Sequence, residues 1–485
     1  MAAEHQQFQD LLDELVERSA VGQEVLGEVL ARTSMRAPAE TSRVEIASGY
    51  PTARRRIIQR AIPQGSVSKA VKALMGLGLM EDGEKVLMSS DGRMLIPLRL
   101  GSAYSIAGVH IVQSTDLQWQ VTTAVMGLDY SRVFGTAHSV ADSWERATEL
   151  IYEHISSLKD ASDQERTTRG LAPLRLFGVG VGVAAPVRNG EVVRVSSEEE
   201  PFPLSAQVRR LMEADPRFDH PVSVVVENDC HALTVQAIHE LNYVDADFIV
   251  ACIFDERVGG GLVIDSQLRR GDNGRAMEIG HLSVGTPPGY DPAAGNDNAS
   301  YGRTGRSGGP NSESNVRCSC GRLGHVDTLA TPIRIVEAFG GNTLQQMGDV
   351  DATNERFSQA RDAFIRGGAA LGRALAHVSN SVSPSRIIIY MPAPLADPKP
   401  DTAAAAYLAA VRAEVVNAFA ACDRSDYLIV RAFPTKKDDA ALLGAKAAAA
   451  CVLESFIEHA LRLDTCTRPV RERSSGFRHL VSGAS

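Results

Sequence analysis

The sequence predicts a mixed α/β protein with an N-terminal winged helix-turn-helix and a larger α/β body of two lobes. Three observations carry this. Residues 51–79 read as two short helices about a Pro-Gln-Gly turn, with hairpin-forming sequence after them. Beyond residue 103, β-branched runs alternate with helical periodicity, and the set of strands followed by a helix occurs twice. A chain of 485 residues exceeds what one core organises, so we place a boundary near residue 100, with a head over 1–100 and a body over 101–485.

Composition narrows the class. With 44% hydrophobic and 22% charged residues the chain reads as ordinary globular material. No uninterrupted run of about eighteen apolar residues occurs, and the first residues lack a basic stretch followed by an apolar one. A cytoplasmic, non-membrane protein is expected. Seven cysteines, paired in sequence only at 318 and 320, suit a reducing compartment better than a disulfide framework.

In chain order, residues 6–32 read as helix from the spacing of Leu11, Leu12, Leu15, Val16, Val25, Leu26, Val29 and Leu30. A second helix starts at Pro51 or Thr52 and turns Ile57, Ile58 and Ala61 inward. Pro63-Gln64-Gly65 makes a turn, and Ser66 is expected to cap the next helix, with Val67, Val71, Leu74 and Met75 buried. That leaves Ser68, Lys69 and Lys72 on the outer face, where a recognition helix meets a major groove. Net charge is −9, yet between Glu45 and Glu81 there are six basic residues and no acidic one. This local charge suits phosphate contacts. The expected DNA contacts are Arg54, Arg55, Arg56, Ser66, Ser68, Lys69 and Lys72, and the partner is a double-stranded operator. Residues 85–88 and 94–98 form the wing.

In the body, strands are expected over 105–112, 118–126 and 132–139, then a helix over 144–158 and a buried strand over 176–186. A strand over 222–226 leads into a helix over 230–240, and strands follow at 248–254 and 260–264. Helices over 331–340 and 354–382, a strand over 386–390, a helix over 403–421, a strand over 427–432 and an Ala-rich helix over 438–459 complete it. Residues 285–317, rich in Gly, Asn, Ser and Pro, read as a mobile insertion, and 465–485 as a disordered tail.

Two stretches carry chemistry. Asn228-Asp229 ends a strand and begins a helix, where α/β folds bind cleft ligands, and an amide beside a carboxylate suits sugar hydroxyls. Cys318-Ser319-Cys320-Gly321, with His325 five residues after the second cysteine, is a compact metal-ligand set. His281 is the best fourth ligand, and two thiolates with two imidazoles suit zinc.

Glu278-Ile279-Gly280-His281 followed by Cys318-x-Cys320-Gly321-x-x-Gly324 resembles the signature of the ROK family of repressors, open reading frames and sugar kinases. The resemblance implies an actin-like, two-lobed sugar-kinase body behind a winged helix-turn-helix. It also implies a structural zinc held by a histidine and three cysteines, the third of which is His325 here. On the sugar side it implies Asn228, Asp229 (the kinase base), Glu278, His281 and Asp327, which stands where the family has Glu. Kinases of this architecture carry Asp-x-Gly-x-Thr on the first hairpin, where this chain has Gly108-Val109-His110. Gly259-Gly260-Gly261 stands at the second phosphate position, and the adenosine-side turn reads Tyr390-Met391-Pro392-Ala393-Pro394. With His110 in place of the aspartate, no ATP-dependent catalysis is expected.

The expected function is therefore a non-catalytic transcriptional regulator, a repressor, that senses a sugar or sugar phosphate as a homodimer or homotetramer. Two alternatives stand beside it: an ATP-dependent carbohydrate kinase with an accessory N-terminal domain, and a degenerate protein-interaction module working through the 285–317 insertion.

Overall fold

Apolar periodicity near the N-terminus produces two helices, α1 (Gln6–Ser19) and α2 (Gln23–Ser34), where one was expected across 6–32. Gly22, a poor helix former, stands between them. The computed structural model describes residues 6–19, 23–34, 42–43, 63–87, 94–113, 118–193, 200–218, 222–240, 247–265, 267–284, 317–318, 320–340, 343–418 and 427–466. The helix expected from Pro51, with Arg54, Arg55 and Arg56, lies outside them. So do residues 285–316 of the insertion and residues 467–485 of the tail. The described residues form two compact units, one of the elements before Ser105 with the chain from Leu453, the other of Ser105–Val452.

In the first unit, α3 (Gln64–Gly76) buries Val67, Ala70, Val71, Ala73 and Leu74, while Leu12, Leu15, Leu26, Val29 and Leu30 of α1 and α2 are also buried. Two expectations need correction. The helix begins at Gln64, not after Ser66: the Pro63 carbonyl already accepts from Ser66 N at 2.8 Å and Val67 N at 3.1 Å, and no side chain caps it. Proline has the right φ to enter a helix, so the expected turn residues became its first turn. Met75 is only half-buried. After α3, β1 (Met80–Asp82) and β2 (Val86–Leu87) run out, and β3 (Met94–Leu95) and β4 (Leu98–Leu100) return. They pair antiparallel as β1 with β4 and β2 with β3, the expected wing.

The second unit holds two five-stranded sheets. The first contains β5 (Tyr104–Gln113), β6 (Trp119–Gly127), β7 (Val133–Ala141), β8 (Arg175–Val183) and β11 (Ser223–Asn228), in the order β11-β8-β5-β6-β7. Between them come α4 (Trp144–Thr168), the short hairpin β9 (Val187–Arg188) and β10 (Glu191–Val192), and α5 (Leu204–Glu213). Helix α5 was not foreseen, although Leu204, Val208 and Met212 recur at four-residue spacing and are all buried. Helix α4 starts where the Ser143 hydroxyl accepts from Arg146 N at 3.2 Å, and it outlasts its expected end by ten residues.

The second sheet follows α6 (Asp229–Glu240) and contains β12 (Phe248–Ile253), β13 (Val258–Ile264), β14 (Gln267–Leu268), β15 (Arg386–Met391) and β16 (Leu428–Ala432). Its order is β14-β13-β12-β15-β16, with β12, β15 and β16 parallel. Helices α7 (Pro332–Phe339), α8 (Leu344–Gly348), α9 (Phe357–Val382), α10 (Ala393–Ala396) and α11 (Ala405–Ala418) cover it around a core that includes Phe364, Leu371, Ile387 and Tyr407.

The last helix, α12 (Lys437–Cys466), reaches past residue 465, where a disordered tail was expected to begin. Its Lys437–Ala460 stretch is apolar and long enough to cross a membrane, but 67% of its apolar window is buried within the protein. It lies on the first sheet at glycine distance. A Cβ on Gly108 would come within 1.9 Å of the Ala445 carbonyl oxygen, and one on Gly180 within 1.9 Å of that of Ala448. Small residues on both partners thus set this contact.

A buried ionic cluster ties the chain after β14 to the start of α6. Glu227 Oε1 meets His231 Nδ1 at 3.1 Å, Glu227 Oε2 accepts from Arg270 Nε at 2.5 Å, and His231 Nε2 faces the Ala276 carbonyl at 3.1 Å. Burial would raise the Glu227 pKa, but Arg270 and His231 outweigh it and hold the carboxyl at about 2. Burial lowers His231, yet Glu227 and the Ala276 carbonyl leave it above its ordinary value. Both ring nitrogens face acceptors, which favours the imidazolium.

Gly180→Val should force Ala448 and its helix away from the sheet, costing about 1–3 kcal/mol or more of unfolding free energy in denaturant titration. Glu227→Gln should cost about 3–5 kcal/mol near neutral pH, because it leaves Arg270 and His231 buried without their counter-charge. The Glu227 contribution is complete above its ordinary pKa of 4.5 and disappears as pH falls towards 2, so unfolding curves of the variant should lack that share of the acid slope. The His231 contribution runs oppositely: present below 6.5, it is lost as pH rises through the raised value.

Candidate metal centre and ligand cleft

The metal-ligand set comes together through a small backbone framework. After the 3₁₀ turn Ile279–His281, Ser283 pairs antiparallel with His325, with Val284 N donating to the Gly324 carbonyl at 3.0 Å and Val326 N to that of Leu282 at 3.1 Å. On the other side, Cys318 N donates to the Arg322 carbonyl at 2.8 Å and Gly321 N to that of Cys318 at 2.8 Å. Gly321 at φ 85° and Gly324 at φ 71° make the two left-handed turns that bring His325 back to the cysteines.

His281 Nδ1 lies 3.2 Å from Cys318 Sγ, His325 Nδ1 lies 3.3 Å from Cys320 Sγ, and all four ligand atoms fall within 4.8 Å of one another. The imidazoles meet edge to face, 5.7 Å between centroids. Around them, Glu278 Oε2 lies 4.0 Å from His281 Nε2 and Asp327 Oδ2 lies 3.8 Å from Cys318 Sγ. His325 is held below its ordinary pKa by burial first, then by His281 and Arg322, which leaves its ring neutral and able to ligate. The cluster could hold a metal ion.

The five expected sugar contacts are placed unequally. Asn228 caps α6, its Oδ1 accepting from Cys230 N at 2.9 Å and His231 N at 3.2 Å, while its amide donates to the Ala185 carbonyl at 3.1 Å. Asp229 is buried; its Oδ1 accepts from Cys230 N at 2.8 Å and its carboxylate is ion-paired with Arg257. Asp327 accepts from Val258 N at 2.7 Å through Oδ1, and burial raises its pKa. A Cβ on Gly280 would fall 2.1 Å from that oxygen, so this glycine is needed for Asp327 to reach β13. Glu278 and His281 remain partly exposed. Met277, just before them, stands at φ 65°, a left-handed conformation that disfavours non-glycine residues.

The nucleotide side differs more. His110 lies within β5, opposite Thr122, and its ring occupies the space a Cβ on Gly444 would need. Burial lowers its pKa, and it is close enough to Asp229 and Arg257 to feel both charges. Gly259, Gly260 and Gly261 lie inside β13 rather than in a phosphate-binding turn. A Cβ there would strike Cys230, Ile279 and Thr234, so the glycines let α6 and the 3₁₀ turn pack on the strand. The turn itself, Phe254-Asp255-Glu256-Arg257, has no glycine.

At the carboxyl edge of β12, β15 and β16, where cleft ligands of parallel sheets bind, a column of side chains is stacked. The Arg257 guanidinium lies 4.2 Å from the Phe254 ring centre, Phe254 and Phe433 stack at 5.4 Å, and Phe433 and Tyr390 at 5.9 Å. Arg431 follows at 5.6 Å from Tyr390, donates to its hydroxyl at 3.0 Å and is ion-paired with Glu240. Both ends of α6 are therefore tied to arginines of the second sheet. Arg257, Glu227, His231 and Arg270 carry no motif of their own. Their partners stand four, twenty-eight and forty-three residues away in sequence, and only the i, i+4 pair Glu227/His231 was open to sequence reasoning.

Comparison with known proteins places this geometry. The chain is 24% identical over 299 residues to a glucokinase of Halalkalibacterium halodurans, spanning 56% of this chain and 79% of that one. It is 23% identical over 273 residues to a xylose repressor of Caldicellulosiruptor bescii, spanning 50% of this chain and 60% of the repressor. A crystal structure of a ROK family transcriptional regulator, a homologue of the E. coli MLC protein, shares the fold with a TM-score of 0.58 at 15% identity, over 90% of this chain and 99% of that one. The likenesses include a regulator and a kinase, and so do not decide whether this chain is catalytic. The ROK family model matches residues 122–450, more than half of the sequence, and the chain belongs to the ROK family.

Proposed function

We propose that the chain is a DNA-binding transcriptional regulator, a repressor, whose body senses a sugar or sugar derivative and is not catalytic. The observation that carries this reading is the two-sidedness of α3. Val67, Ala70, Val71 and Leu74 are buried while Ser68, Lys69 and Lys72 are exposed, and a β-hairpin follows. A helix so arranged is able to enter a major groove with the hairpin as its wing. In this proposal the head spans 1–100 and the body 101–485, Arg54, Arg55, Arg56 and Ser66 add phosphate contacts, and the chain works in the cytoplasm as a homodimer or homotetramer. Sugar binding at Asn228, Asp229, Glu278, His281 and Asp327 would shift the lobes and with them the spacing of the paired heads.

The non-catalytic part is supported by the Asp229–Arg257 ion pair, since a carboxylate bound to a guanidinium is a poor acceptor for a hydroxyl proton. The glucokinase likeness favours the kinase alternative, and ATP turnover with any hexose would establish it. For the metal we propose a structural zinc on His281, Cys318, Cys320 and His325. Tetrahedral zinc with bonds of about 2.0–2.3 Å sets its ligands roughly 3.3–3.8 Å apart, close to the Cys318/His281 and Cys320/His325 separations.

Lys69→Ala/Lys72→Ala should weaken binding to operator DNA recovered from the genome and lower the slope of log affinity against log salt by about 2, one for each lost phosphate contact. Unchanged affinity and slope would sink the recognition-helix assignment. Purified protein should carry about one zinc per chain by elemental analysis. Cys318→Ser/Cys320→Ser should lose it and unfold at lower temperature.

A further inference from the structure

We propose that Arg257 sets the class of effector this cleft accepts: a monosaccharide bearing a phosphate or carboxylate rather than a neutral sugar. The proposal rests on the reading of the body as a sugar sensor and names the chemistry of what it senses.

A neutral sugar presents hydroxyls, and carboxylates bind them by accepting their protons. At Asp229 that capacity is taken up, while Glu278 keeps a carboxylate that is 41% exposed. Asp229 is 3% exposed, its Oδ1 accepts from Cys230 N at 2.8 Å and Arg257 Nη1 at 3.4 Å, and its Oδ2 is covered by Arg257 Nη2. Asp327 Oδ1 accepts from Val258 N at 2.7 Å. Arg257, which precedes Val258 in the chain and pairs with Asp229, keeps 34% of its side chain exposed.

That guanidinium is pre-organised. Phe254 lies flat beneath it at 4.2 Å, Phe433 and Tyr390 back Phe254, and Arg431 with Glu240 closes the far end of the column. Arginine has five N–H donors, and Asp229 engages donors on two of its three nitrogens. The remaining donors match the paired oxygens of a phosphate or carboxylate, and their bonds to such an ionised acceptor are stronger than those they would give a neutral hydroxyl. An anion here would share the guanidinium with Asp229, the arginine standing between two negative groups.

The test is isothermal titration of the full chain with three sets of ligands: glucose, mannose and N-acetylglucosamine; their 6-phosphates; and glucuronate and mannuronate. Wild type should bind at least one phosphorylated or carboxylated form tenfold or more tighter than its neutral parent, and the two anionic sets tell phosphate from carboxylate. Arg257→Lys, which keeps the charge and loses the fork, should reduce the preference. Asp229→Asn/Arg257→Ala should abolish it, and that double variant avoids leaving a buried carboxylate unpaired. Thermal unfolding confirms that each variant is folded. Neutral sugars binding as tightly as the anionic ones, a preference that survives in the double variant, or no binding by wild type of any of the three sets would each overturn the proposal. Operator binding measured on the same samples separates the two readings. Intact operator binding with no anion preference refutes only the effector class, whereas lost operator binding with a clear anion preference refutes only the regulator.

Discussion

The seat of α6 is the constraint on which the rest of the body depends. The helix leaves the carboxyl end of β11 in the first sheet and lies on β13 of the second, close enough that Gly259 and Gly261 must lack side chains to admit Cys230 and Thr234. Its first residue is paired with Arg257 and its last with Arg431. Glu227, two residues before it, anchors Arg270 and, with His231, the chain that leads to Glu278 and His281. One helix therefore fixes the distance between the sheets, the position of the candidate ligand loop and the ionisation of the cleft. Close packing makes such a joint stiff: interiors at crystal-like density yield by discrete shifts rather than by smooth deformation.

The cleft keeps the frame of a sugar-kinase body while its charges are arranged differently. An aspartate at the end of a strand would ordinarily face ligand, but here it faces an arginine supplied by the turn between β12 and β13. The edge of the parallel strands, open in principle to a nucleotide, is lined instead by Phe254, Phe433 and Tyr390 in mutual contact. Aromatic stacking and cation–π contact each contribute on the order of 1 kcal/mol, modest singly, yet in series they hold both arginines in fixed orientation. The segment that carries His281, Cys318, Cys320 and His325 does a related task. It joins the strand-like residues after the 3₁₀ turn at Ile279–His281 to those before Asp327, so the backbone bearing Glu278 is fastened from two directions.

Much of the local order of the chain was determined by the sequence alone, although the helix at Leu204–Glu213 was not foreseen. Strand and helix identities in the body followed from continuous apolar runs such as Ile387-Ile388-Ile389, buried on both faces of a central strand, and from the Ala-rich run of α12, too long for a strand. The ligand types and close spacing of Cys318, Cys320 and His325 announced a metal-binding chemistry, and the six basic residues between Glu45 and Glu81 announced an electrostatic one. Only the tertiary structure decided what those groups do to one another. That Asp229 is neutralised by Arg257, that three successive glycines serve helix packing rather than phosphate, and that Asp327 holds a backbone amide are facts of contact across 28 to 69 residues. Coulomb and hydrogen-bond energies act over a few ångströms of space and are blind to separation along the chain, so they become defined once folding has brought the partners together.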